Sequence, residues 1–333
     1  MPQLRKDPVN GRWVIVNVET PKLMFPVRAH VKSSKACPFC PGNESMTPPE
    51  IAAYRLKNLP AGKTDWQVRV IPNKFPALRI EESAERRGAG IYDRIGGFGA
   101  HEVIIENPDH QKEMADLGVE EVALILRAYR ERCLDLNKDK RIRYILIFKN
   151  YGSDAGASLE HPHSQLIGLP IVPSRVLGEL FGSANHYELT ERCVYCDMLE
   201  QEKTDKKITV YSEDGFTTIA PFAARFPFEM WLLPASHISS FDSISDEGLL
   251  ALAKALKASL GKLKNALGDP SYNFMIHTAP LHGRNTESFH WHMEIIPHLT
   301  EVDGFELGTG FYQNPTPPEM AAEKLRVAEP KNQ

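Results

Sequence analysis

Two imidazoles stand one residue apart in the run Glu160-His161-Pro162-His163-Ser164-Gln165, behind a glycine-rich approach from Gly152 to Ser158. In extended backbone successive side chains alternate faces, so His161 and His163 point the same way into one pocket. The proline between them has no N–H for a ladder, which places the run at a sheet edge or a strand entrance, within reach of a ligand. Four of the five cysteines form two Cys-x-x-Cys pairs, Cys37 with Cys40 and Cys193 with Cys196. In each half of the chain the order is the same: a cysteine pair, a lone histidine after a β-type run, then the first member of a His-x-His pair. Two thiolates and two imidazoles suit tetrahedral zinc, and four protein ligands close the site, which makes it structural. The expected ligands are Cys37, Cys40, His110 and His161 in the first half, and Cys193, Cys196, His237 and His290 in the second.

With His161 held by metal, His163 is left free. A neutral imidazole is a competent nucleophile at physiological pH once its other nitrogen is fixed by an acceptor such as a backbone carbonyl. Gly152, Gly156 and Ser158 can turn backbone N–H groups toward an anion. Gln165, on the same face as His163, is an uncharged amide able to donate to a phosphoryl oxygen. Nucleophile, anion cradle and amide donor together point to phosphoryl chemistry through a covalent phosphohistidine.

The elements that position these residues repeat. In the first half, β-type runs at Arg12 to Val18, Val68 to Ile71 and His101 to Glu106 precede a helix with Val122, Leu126, Tyr129, Cys133 and Leu136 on one face. Cys133 is then a packed core thiol. A strand from Tyr144 to Phe148 leads through the glycine-rich loop to His161. In the second half a strand from Glu229 to Leu233 ends near His237, and a helix follows with Leu252, Leu256, Leu260, Leu263 and Leu267 on one face, opened by Ser245. A strand from Tyr272 to Ile276 leads on to His290-Trp291-His292. Nearly the same interval separates His110 from His161 as His237 from His290. The chain therefore reads as two copies of one α+β unit of about 150 residues, residues 1–180 and 181–333.

Bulk properties narrow the classes. At 333 residues, 42% apolar and 25% charged, the chain can bury a large core. A net charge of -4 gives no surplus that asks for nucleic acid, and no apolar run nears the roughly 18 residues of a membrane span. A cytoplasmic protein is expected, in which cysteine pairs read as metal sites before disulfides.

The run His161-Pro162-His163-Ser164-Gln165, taken with Cys37/Cys40, Asn73, Asn107-Pro108-Asp109-His110, Asn150 and His290-Trp291-His292, resembles the galactose-1-phosphate uridylyltransferase branch of the histidine-triad superfamily. The resemblance implies a duplicated histidine-triad fold, each half with an antiparallel sheet and a long helix, in a homodimer whose sites are completed across the interface. It implies that His163 attacks the α-phosphorus of a nucleotide sugar such as UDP-glucose, releasing a sugar 1-phosphate, before the nucleotidyl group passes to a hexose 1-phosphate. Gln165 would bond the nucleotidyl phosphate, Gly156 and Ser158 would line the phosphate loop, and Asn73 and Asn150 would touch the nucleoside or its phosphates. Glutamine in place of the triad's third histidine favours transfer over hydrolysis.

In the second half His292 and Glu294 stand where His163 and Gln165 stand in the first, and the loop from Leu281 through Gly283 to Asn285 lacks the small-residue pattern. A carboxylate there repels phosphate, so this half reads as a degenerate, structural copy. Some relatives hold iron with one Glu and three His, and Glu179, His277, His290 and His292 would supply that set; with Cys193 and Cys196 present, zinc is the first expectation. Near the carboxyl end, Gly304-Phe305-Glu306-Leu307-Gly308-Thr309-Gly310-Phe311 departs from the hexose-gripping segment of galactose-specific relatives. It resembles instead the related ADP-glucose phosphorylases, with Gly310 and Phe311 as substrate-contacting positions and ADP-glucose as the alternative substrate. A rival of another class is a zinc-stabilised nucleotide-binding module without turnover.

Overall fold

The structure is a computed structural model that describes residues 1–28, 30, 36–56, 65–283 and 286–329. One ten-stranded sheet carries both halves. From edge to edge it runs Thr209–Glu213, Phe216–Ile219, Met230–Pro234, His292–Pro297, Tyr272–His277, Tyr144–Tyr151, His163–Leu169, Ala100–Ile105, Trp66–Pro72 and Ala52–Arg55. Every neighbouring pair is antiparallel. Within each half the last strand in sequence lies between the third and the fourth, so the two five-stranded units share one topology. They meet where Tyr144–Tyr151 pairs with Tyr272–His277, Asn150 opposite Asn273.

A long helix links the third and fourth strands of each unit, Val119–Leu136 and Asp246–Leu267. Both pack on one face of the sheet. Leu126, Tyr129, Leu252, Leu256 and Leu260 are buried there against Ile104, Ile147 and Leu166, each full burial contributing about 1.5–3 kcal/mol. The second helix starts where Ser245 accepts from the Gly248 N–H. The opposite face of the first unit carries a separate apolar cluster of Phe39, Ile71, Val103 and Ile105. Alternation explains the split: Ser164 and Leu166 turn to the helices, His163 and Gln165 to the other side.

The strand with the histidines begins at His163, so Pro162 stands at its entrance, and the strand is central rather than at an edge. Entry from one end gives access without exposing a ladder. Sequence periodicity places the strands it names and both long helices within a few residues, but it does not show the sheet strands Ala52–Arg55, Thr209–Glu213 and Phe216–Ile219. Nor does it show the helices Ser174–Thr190 and Val194–Asp205, which lead from the first unit into the second, or the hairpin Arg86–Ala89/Tyr92–Ile95. Among the described residues no helix is long and apolar enough to cross a membrane.

Candidate active site and metal centres

The first Cys-x-x-Cys lies in a turn, where Cys40 N–H donates to the Cys37 carbonyl at 3.3 Å and Phe39 N–H donates to Cys37 Sγ at 3.4 Å. Cys40 Sγ is 3.4 Å from His110 Nδ1 and 3.6 Å from His161 Nδ1. Zn–S and Zn–N bonds at tetrahedral angles hold their donors roughly 3.5 Å apart. His161 Nε2–H donates to the Asn107 carbonyl at 2.9 Å, which leaves Nδ1 unprotonated and turned to the thiols. Burial, with the neighbouring Cys37 adding to it, pushes the Cys40 thiol up to about 11, so two bare thiolates do not coexist there and a dication resolves the conflict.

The second set repeats this geometry. Cys196 Sγ is 3.5 Å from His237 Nδ1 and 3.6 Å from His290 Nδ1, and the far nitrogens of those rings meet the Glu287 and Pro234 carbonyls at 2.7 and 3.0 Å. Here Cys193 is the N-cap residue of the helix Val194–Asp205 and Cys196 sits in its first turn, and the hydrogen bond between the two pulls the Cys193 thiol down to about 4 and pushes the Cys196 thiol up. In each set of four the donor atoms lie within 4.8 Å of one another. Both Cys/His groupings therefore suit a metal ion.

His163 stands beside the first set, 6% exposed, on a cavity of about 310 Å³. Its Nδ1–H donates to the His161 carbonyl at 2.8 Å, which leaves the Nε2 lone pair for the cavity. Burial, with the Lys149 ammonium adding to it, pushes the imidazole down to about 4 against the opposing His161 carbonyl, so the ring is neutral at pH 7. The cavity is also lined by Asn150, Gly152, Ser158 and Lys149. Gly152 holds φ +82 and Gly156 φ +83, turning the loop into the short helix Ser153–Ala155 and out of it. Asn150 is reached from the other half: Asn273 Nδ2 donates to its Oδ1 at 2.8 Å and to the Ala155 carbonyl at 3.0 Å.

Beneath the cavity lies a buried charge network. Lys149 Nζ donates to Glu106 at 2.6 Å and stands 3.5 Å from Glu113, while Ser164 links Glu106 to Tyr129. Gln165 lies one pleat beyond His163. Its Oε1 is 2.8 Å from His101 Nε2, and Asn73 Nδ2 is 3.1 Å from the same nitrogen. Gln165 and Asn73 thus share a site edge, and neither lines the His163 cavity itself. Gly310 and Phe311 are placed elsewhere. Gly310 ends the helix Gly304–Thr309 at φ +71, next to the strand Tyr312–Asn314 of a small three-stranded sheet, and neither residue lines that cavity.

The second pocket is closed. His292 copies the bond of His163, its Nδ1 at 3.1 Å from the His290 carbonyl, but the residue is fully buried against Tyr195, Trp231 and His277. Glu179, His277, His292 and Glu294 form a third grouping of possible donors. His290, included in the iron set by sequence, is turned to Cys196 instead. The carboxylates already have partners: Glu294 accepts from Arg225 at 2.8 Å and from Arg175, and Glu179 lies 2.8 Å from His277 Nδ1. Burial opposes the Glu294 charge and the two guanidiniums overcome it, holding its carboxyl below the usual range. Arg284 and Asn285 of the preceding loop lie outside the described residues.

Sequence reasoning missed His101, Lys149 with Glu106, and Asn273. His101 was placed on a strand, but its contact with Gln165 depends on cross-strand register, which one strand does not reveal. The lysine and glutamate sit in β-type runs where charged residues read as solvent-facing.

The duplicated α+β unit, its two Cys/His groupings and the cavity-facing His163 suit an enzyme that moves nucleotidyl groups. The chain belongs to the galactose-1-phosphate uridylyltransferase family. Residues 2–173 match that family's N-terminal domain and residues 146–331 its C-terminal domain. The ADP-glucose phosphorylase of Arabidopsis thaliana is 40% identical over 98% of this chain and 92% of its own length. The galactose-1-phosphate uridylyltransferase of Thermotoga maritima is 29% identical over 99% of each. Among solved structures, the Arabidopsis thaliana ADP-glucose phosphorylase with bound ADP-glucose is 37% identical, with a TM-score of 0.84 and 99% of both chains covered. A uridylyltransferase structure is 31% identical, with a TM-score of 0.77 and 98% of each chain covered.

Proposed function

We propose that the chain transfers a nucleotidyl group from a nucleotide sugar to a phosphate-bearing acceptor through a covalent nucleotidyl-histidine at His163. The observation that carries this reading is the hydrogen bond from His163 Nδ1 to the His161 carbonyl, which commits the lone pair at Nε2 to the cavity. In the first half-reaction Nε2 attacks the α-phosphorus, an N–P bond forms, and the P–O bond to the sugar 1-phosphate breaks with its electron pair on the leaving oxygen. In the second half-reaction an acceptor phosphate oxygen attacks the same phosphorus and the N–P bond breaks, returning neutral His163. Gln165 donates its amide N–H to the nucleotidyl phosphate, the backbone about Gly156 and Ser158 cradles the neighbouring phosphate, and Asn73 and Asn150 touch the nucleoside or its phosphates. Lys149, held by Glu106 and Glu113, lines the same cavity.

Both Cys/His sets fit zinc by donor chemistry, one ion each, with iron the alternative in the second half. Each ion supplies rigidity and no chemical step. In the first half it fixes the His161 ring and with it the backbone carbonyl that orients His163. The division between a catalytic half and a structural copy falls near residue 180. Gly310 and Phe311 are substrate-contacting positions in this reading, in a homodimer whose sites the resemblance completes across the interface.

For the nucleotide, transfer from UDP-glucose to a hexose 1-phosphate is supported by the family models and the Thermotoga maritima relative. A second reading, ADP-glucose as donor with phosphate or a sugar phosphate as acceptor, is favoured by the 40% identity to the Arabidopsis thaliana relative. Incubation with each nucleotide sugar, followed by intact-protein mass spectrometry, separates them because the added mass is that of a uridylyl or an adenylyl group. Absence of any adduct with both donors would overturn transfer through His163.

A further inference from the structure

We infer that His101 is a positioning residue that fixes the polarity of the Gln165 amide, an inference that rests on the proposed nucleotidyl transfer at His163. The ring is held on both nitrogens. The Ala77 backbone N–H donates to His101 Nδ1 at 3.1 Å, so Nδ1 is the acceptor and the single hydrogen of a neutral imidazole sits on Nε2. Among the described residues its acceptor is Gln165 Oε1, at 2.8 Å. Asn73 Nδ2, at 3.1 Å, is a donor; its own oxygen accepts from the Phe75 N–H at 2.9 Å, which fixes that amide's orientation.

The consequence falls on Gln165. An amide free to rotate presents either its oxygen or its NH2 to a ligand, and an oxygen facing a nucleotidyl phosphate is repulsive. With Oε1 taken by His101, the NH2 group is left for the side toward His163. The cross-strand register keeps the two residues on one face, since His101 opposite Ile167 and Val103 opposite Gln165 set His101 one pleat from the glutamine. His101 touches no reacting atom in this account and acts through Gln165 alone.

A double-mutant cycle on the full-length protein tests this, read as the rate of nucleotidyl-His163 formation with UDP-glucose and with ADP-glucose. His101→Phe keeps a ring of similar size without the donor, and it should lower that rate about 10-fold or more with substrate affinity little changed. His101→Gln, which can place an amide N–H near the position of Nε2, should recover much of the loss. In a Gln165→Ala background, His101→Phe should cause no further loss. Equal losses from His101→Phe with and without Gln165, or no loss at all, would overturn the role of His101. If Gln165→Ala and His163→Ala both form adduct at the unaltered rate, the proposed transfer itself has failed; if they lose it while His101→Phe does not, only this inference has.

Discussion

In the proposed transfer His163 is a nucleophile only while one nitrogen carries the proton and the other keeps its lone pair, and a single backbone carbonyl imposes that division. His163→Ala should therefore abolish the covalent adduct in mass spectrometry while leaving the thermal midpoint within a few degrees, because the side chain lines a cavity rather than filling a core. A large drop in the midpoint would show that the ring is structural. The Lys149–Glu106 pair obeys the opposite logic. Both residues are 1% exposed, so Lys149→Met strands a buried carboxylate and should cost about 3–5 kcal/mol in urea unfolding. Adding Glu106→Gln should recover a good part of that cost, since the uncompensated charge is gone. Should the single variant unfold at the unaltered urea concentration, the pair contributes no stability.

At the scale of elements, the loop between two strands closes on itself, the Ala155 and Ala157 N–H groups donating to the Gly152 carbonyl and the Gly156 N–H to that of Ser153, and glycine at positive φ makes the turns. The two glycines differ in what surrounds them. A Cβ on Gly152 would lie 2.2 Å from Ser271 Oγ and 2.4 Å from His30 Cε1, whereas one on Gly156 would meet, among the described residues, only Asn150 Nδ2 at 3.9 Å. Gly156→Ala should thus cost about 1 kcal/mol of backbone strain, and Gly152→Ala more, with nucleotide binding weakened in isothermal titration; equal effects would refute the packing argument. Periodicity made the two long helices and the main strands legible in the sequence, because each shows the sheet one apolar face. The parallel order of cysteines and histidines made both ligand groupings legible for a different reason, since metal geometry restricts spacing. What stayed hidden depends on neighbours in space. His101 reads as any strand residue until its register against Gln165 is known, and Glu294 reads as a free carboxylate until Arg175 and Arg225, far apart in sequence, close on it.

At the scale of the molecule, both halves are needed for one site. The sheet is continuous across the junction of Tyr144–Tyr151 with Tyr272–His277, and Asn273, from the second half, holds Asn150 and the Ala155 carbonyl of the proposed phosphate loop. The Cys/His set of the second half lies next to a sealed histidine, so its loss should act on stability alone. Cys196→Ser is expected to lower the thermal midpoint and to remove one zinc ion per chain by elemental analysis, while adduct formation at His163 persists in the folded fraction; adduct lost with the metal would tie that half to the chemistry. Dividing the chain is a harsher test. Residues 1–180 alone would expose the Tyr144–Tyr151 edge, whose ladder groups would be free to pair with other chains, and would lack Asn273. They should aggregate or form no adduct, and co-expression with residues 181–333 should restore both solubility and the labelled histidine. An isolated first half that forms adduct at the rate of the whole chain would show instead that the second copy serves neither the sheet nor the loop.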